Sequence, residues 1–160
     1  MKKTDTIILF DIDNTLFNTQ KLKSSKLTIF ELYDEVKDSL DKLANIATLG
    51  LLSQGEIAFQ NKKLEKTEIK KYFSQEHKHI VEYKLDVMRD ILQLYKNKAK
   101  IYFIDDWLTG LREAKKTDPS VITIWMKRGE YANTQEKHSD FEPDAVVTNL
   151  NEVVKLISSS

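Results

Sequence analysis

Two carboxylates stand where an apolar run breaks off. Ile7, Ile8, Leu9 and Phe10 lead directly into Asp11, Ile12, Asp13, Asn14 and Thr15. The arrangement recurs downstream, where Ile101, Tyr102, Phe103 and Ile104 lead into Asp105 and Asp106. A third run, Leu49 to Leu52, closes on the hydroxyl of Ser53. Acids at the end of a buried segment are costly unless something neutralises them. Two carboxylates about 4 Å apart repel by about 4 kcal/mol at an effective dielectric near 20. Carboxylate oxygens suit a hard divalent cation, magnesium or calcium. The chemistry these residues suggest is therefore charge handling around a metal ion, with carboxylates free to attack or to move protons.

Such a cluster forms only if the chain brings three strand ends together. A short, uniformly apolar run reads as a strand buried on both faces, as in a parallel sheet. The spacing predicts strands at 7–10, 48–53, 79–83, 100–104, 121–126 and 145–148. Helical periodicity falls at 27–46, 56–73 with a break at Thr67, 85–95, 109–116 and 150–157. Residues 18–25 and 127–143 read as loops. Alternating strands and helices predict an α/β fold, a doubly wound parallel sheet in a three-layer sandwich. The Asp11 strand is then central, the Ser53 and Asp105 strands flank it, and their carboxyl ends share one crevice.

Composition narrows the classes. The 160 residues make one domain, 1–160. Lys plus Arg and Asp plus Glu both number 25, so bulk charge argues against nucleic acid and against a membrane surface. Lys62, Lys63, Lys66, Lys70 and Lys71 alternate with Glu65 and Glu68 and read as a solvated helix face. Without cysteine there is no thiol nucleophile or thiolate metal site, which fits a reducing, cytoplasmic setting. His77, His79 and His138 read as loop histidines and not as a zinc site. The four glycines form neither a dinucleotide fingerprint nor a P-loop.

Asp11, Asp13 and Thr15 resemble the DxDxT motif of the haloacid dehalogenase (HAD) superfamily. Ser53 resembles the second motif of that family, Lys84 the third-motif lysine, and Asp105-Asp106 the acidic fourth motif. The four occur in family order over nearly the whole chain. The resemblance implies a Rossmann-like core and a Mg²⁺-dependent phosphomonoester hydrolase working through an aspartyl-phosphate. It makes Asp11 the nucleophile, Asp13 the general acid and base, and Ser53 and Lys84 the phosphate binders. Asp11, Asp13, Asp105 and Asp106 become the metal site, Asp13 through its backbone carbonyl. An acid at Asp13 argues against carbon–halogen cleavage, because the dehalogenases of the family lack it. The sequence departs from the family at Gly110, where many members carry a further acid or Asn.

The intervals between motifs leave no room for a full cap domain, so the expected site is open. Residues 18–46, a loop plus a helix, are the segment placed to cover it in part. Phe17, Trp107, Arg128 and Tyr131 are the expected rim, and the expected substrate is a phosphorylated small molecule or a bulky phosphorylated partner. The alternative is a non-enzymatic phosphoacceptor or regulatory protein on a HAD-like or receiver-like fold. Receivers carry their acceptor on a later strand than their acidic pair, which is not the order found here.

Overall fold

The computed structural model describes residues 3–160. Six strands form one parallel sheet in the order β3-β2-β1-β4-β5-β6. They are β1 (Thr6–Phe10), β2 (Thr48–Gln54), β3 (Lys78–Val81), β4 (Lys100–Asp105), β5 (Ile122–Met126) and β6 (Ala145–Val147). As expected, β1 is central, with β2 and β4 on either side. Ile7, Ile8, Leu9 and Phe10 are wholly buried, which is why the run is apolar without alternation.

The pleat sends alternate β1 residues to two cores. Ile8 and Phe10 join α2 (Val36–Ala44), α3 (Ile57–Lys66) and α7 (Leu150–Ser158) through Leu40, Leu43, Leu64, Val153 and Ile157. Ile7 and Leu9 join α4 (Lys84–Gln93) and α5 (Leu108–Thr117) through Met88, Ile91, Leu92, Leu111 and Ala114. Helices therefore cover both faces, the three-layer arrangement that the alternating pattern predicts.

The segment between β1 and β2 differs from the expected loop and single helix over 18–46. Residues Thr19–Ser24 form a helix, α1, whose N-cap Asn18 accepts a hydrogen bond from the Lys21 N–H. Lys26 and Leu27 then adopt positive φ, which ends the helix. The chain runs on without helix until Val36, and Leu32 pairs with Phe17 as an isolated bridge. Leu32 and Tyr33 pack on the core without being helical, whereas Ile29, expected on the same helix face, is exposed. The predicted break at Thr67 is present as the C-cap of α3. Within the expected loop 127–143, Tyr131–Thr134 form a single helical turn, α6. His77 and His79 are half-buried where exposure was expected, and both ring nitrogens approach the Tyr95 hydroxyl, at 3.0 and 2.7 Å.

Candidate active site

The strand order reverses direction between β1 and β4, and ligands in open α/β sheets bind outside the strand ends at such a point. Phe10 pairs with Ile104, and the Asp11 N–H donates to the Ile104 carbonyl at 2.9 Å. That register sets Asp11 level with Asp105. Beyond Asp13 the chain turns at Asn14, whose φ is +63°. The turn leaves room only for glycine opposite: a Cβ on Gly129, at φ +79°, would lie 2.9 Å from Asn14 Oδ1. Asn14 in turn donates to Asp106 Oδ2 at 3.2 Å.

Asp11, Asp105 and Asp106 are buried, and one oxygen from each lies within 4.8 Å of the others. Lys84, the first residue of α4, enters this group from the side. Its Nζ is 2.8 Å from Asp105 Oδ2 and 3.2 Å from Asp11 Oδ1. The Lys84 N–H donates to the Gln54 side chain, fixing the start of the helix against the end of β2. Trp107 N–H donates to the other oxygen of Asp105. Gly110 makes this packing feasible, because a Cβ there would come within 3.1 Å of both Asp105 Oδ2 and the Trp107 ring.

Burial raises the Asp11 pKa well above the carboxylate range, and the neighbouring Asp105 charge adds to the effect. Burial, then Asp105, pushes Asp106 up to about 8. Burial opposes charge on Lys84, but Asp105 and Asp11 outweigh it and raise its pKa. With all groups ionised, Asp11, Asp105 and Asp106 against Lys84 leave two negative charges uncompensated. Buried, oxygen-only and short of two positive charges, the cluster fits a divalent ion such as Mg²⁺.

Asp13 is not part of that carboxylate group but lines the same crevice. Its carboxylate accepts from Thr19 Oγ1 at 2.8 Å, from Gln60 Nε2 at 3.0 Å and from Lys63 Nζ at 2.6 Å. Gln60 also donates to Ser53 Oγ at 2.8 Å. A crevice of about 480 Å³ opens above these groups, walled by Leu22, Lys23, Leu27, Phe59, Trp107 and Tyr131, among others.

Among solved structures, a haloacid dehalogenase-like hydrolase from Burkholderia xenovorans LB400 superposes with a TM-score of 0.82 at 18% identity, over 98% of each chain. The magnesium-bound HAD-hydrolase YfnB from Bacillus subtilis gives 0.72 at 12% identity, over 98% of this chain and 99% of that one. The L-2-haloacid dehalogenase from Xanthobacter autotrophicus gives 0.67 at 14% identity, over 99% of each. This chain has the HAD-like fold. No family model and no curated protein matches the sequence.

On the HAD-like core, the structure gathers Asp11, Asp13, Lys84, Asp105 and Asp106 around one crevice. Ser53 stands at the end of β2 beside them, fully buried, with its hydroxyl engaged by Gln60. Of the expected rim residues, Trp107 and Tyr131 line the crevice. Phe17 and Arg128 do not. Phe17 is 1% exposed and packs edge-on to Phe30 in the core. Arg128 turns inward, where it grips both oxygens of Glu35, donates to the Thr15 carbonyl and stacks on Tyr33. Lys63 is the residue that charge patterning misassigned. It is buried against Asp13 instead of lying on a solvated face. The signal was in the helix phase, since Gln60, Lys63 and Thr67 share a face with the core residue Leu64.

Proposed function

We propose that this protein is a Mg²⁺-dependent phosphomonoester hydrolase that works through a covalent phosphate on Asp11. The observation that carries this reading is the buried group of Asp11, Asp105 and Asp106, which among the described residues is ion-paired to Lys84 alone. Asp11 and the Asp105-Asp106 pair would hold the metal, with the Asp13 carbonyl. When bound, the ion supplies positive charge that lowers the repulsion between carboxylates and an incoming phosphoryl group.

Asp11 attacks phosphorus and forms the new O–P bond while the ester O–P bond breaks. Asp13 gives a proton to the departing oxygen. It then takes a proton from the water that attacks the Asp11-bound phosphorus, and inorganic phosphate leaves. Lys84 offers its ammonium to the phosphoryl oxygens, where fixed charge contributes most of the rate. Ser53 offers a hydroxyl proton from the end of β2. Asp13 also separates this reading from carbon–halogen cleavage, which needs no proton donor at that place. Trp107 and Tyr131 stand where the alcohol portion of the ester would rest, and the open crevice suits a small ester or a bulky phosphorylated partner.

The test is turnover of p-nitrophenyl phosphate with Mg²⁺ by the wild type and by Asp11→Asn. Turnover is expected in the first and loss of at least a hundredfold in the second. A variant within about tenfold of wild type, which is about 1.4 kcal/mol of transition-state stabilisation, overturns the assignment. Turnover of a 2-haloacid with none of any phosphate ester overturns the reaction class.

A further inference from the structure

Lys63 belongs to none of the motifs that define the site, yet it makes the shortest contact to Asp13. Its side chain is only 5% exposed, and its Nζ lies 2.6 Å from Asp13 Oδ1. The ammonium sits 5.3 Å from the Phe17 ring centre and 4.7 Å from that of Phe59. Those two aromatic faces hold it by cation–π attraction and leave Asp13 as its carboxylate partner. The ion pair to Asp13 and the two ring faces together hold this desolvated ammonium in place.

Around Asp13 three donors converge from two helices. Thr19 comes from α1, and Gln60 and Lys63 come from successive turns of α3. A carboxylate offers roughly four acceptor positions, so three donors leave it one orientation and about one free lone pair. Gln60 divides its amide between Asp13 and Ser53, so α3 ties the proton donor to the phosphate-binding hydroxyl.

We propose that Lys63 is a positioning residue that holds the Asp13 carboxylate in line with the leaving oxygen of the substrate. The proposal rests on the reading of Asp13 as general acid and base. It distinguishes Lys63 from Lys84, which touches the nucleophile and would touch the phosphoryl group. A residue that aims the proton donor matters most when the leaving group needs a proton. A residue that binds phosphate matters equally for every ester.

Lys63→Met keeps the length and apolar stem but removes the charge. For glycerol phosphate, whose alkoxide must be protonated, kcat/KM should fall by at least about 30-fold, a substantial part of the roughly 10²–10⁴-fold that general acid catalysis supplies. For p-nitrophenyl phosphate, whose leaving group departs without a proton, it should fall by less than about fivefold. Equal losses for both esters, or none for either, overturn the proposal. Lys63→Gln is measured in the same way if the Met variant does not fold. Crystal structures of the wild type and of the variant decide the matter if the wild type hydrolyses neither ester. That result removes the phosphatase reading but leaves the role of Lys63 open to test. Asp13 displaced from Thr19 and Gln60 in the variant supports the positioning role, and Asp13 unmoved overturns it.

Discussion

Asp106 and Asp11 bind protons more tightly in the folded protein than in the unfolded chain, because burial and Asp105 disfavour their charged forms. The folded state therefore holds more protons between the ordinary carboxylate pKa, about 4, and the Asp106 value of about 8. In that window stability falls as pH rises. In EDTA, the melting temperature of wild type relative to Asp106→Asn should drop from pH 5 to pH 8. Mg²⁺ should restore it most at pH 8, where the cluster is most fully ionised. A difference between the two proteins that does not change with pH would refute this charge account. Trp107 provides a second residue-level prediction. Trp107→Ala should raise KM for aromatic and nucleotide esters and leave it unchanged for glycerol phosphate, since stacking contributes about 1 kcal/mol. Equal effects on all substrates would place Trp107 under α5 as a packing residue only. The acids were legible in the sequence because a charge closing a buried run is rare. Lys63 was not, because five lysines in one stretch look like a solvated face until helix phase separates Lys63 from Lys62 and Lys66. Phe17 and Arg128 follow the same logic in reverse. Phe17 follows the first motif and Arg128 follows β5, and the side chains of both turn into the protein instead of toward the crevice.

At the level of elements, β1, β2, β4 and β5 were readable as short apolar runs, while β3, Lys78–Val81, is half-buried and polar at its start; the doubly wound plan placed β1 between β2 and β4. The stretch between Asn18 and Val36 was not readable, because Leu32 and Tyr33 owe their burial to the Phe17 bridge and the core, not to a helix. That stretch is fastened at its far end by Glu35. Glu35 accepts both Arg128 Nη1 contacts, at 2.9 and 3.0 Å, and the Leu150 N–H at 3.1 Å. One side chain thus joins the start of α2, the loop after β5 and the start of α7. Glu35→Ala strips a mostly buried guanidinium of its counter-ion and leaves the first N–H of α7 without this partner. It should cost about 3 kcal/mol of stability, measurable as a lower urea midpoint with unchanged slope. A loss under about 0.5 kcal/mol would mean that solvent replaces the carboxylate freely.

At the scale of the whole molecule, the chain encloses two cores on one sheet and places its acids where that sheet changes direction. The walls of the crevice come from α1, α3, α6 and the stretch after β4, with no separate cap domain among the described residues. The segment after α1 does reach the crevice through Leu27, which is 58% exposed and held at positive φ. Under the proposed function, substrate selection falls to a few rim side chains instead of a closing domain, and contacts remote from phosphorus are few.

The depth of β1 bears on how the protein fails. Its residues Ile7–Phe10 have no exposed surface, and both of its edges are paired over most of their length. Amide protons there can reach solvent only when the whole domain opens, whereas β3 and β6 lie at the sheet edges and can fray alone. In hydrogen–deuterium exchange, the amides of Ile8 to Asp11 should be among the slowest in the protein, with opening free energies equal to that of global unfolding. Asp11, the proposed nucleophile, rides on that slow segment. Heat inactivation should then coincide with the loss of tertiary structure, without an earlier stage in which a folded protein has lost its active site.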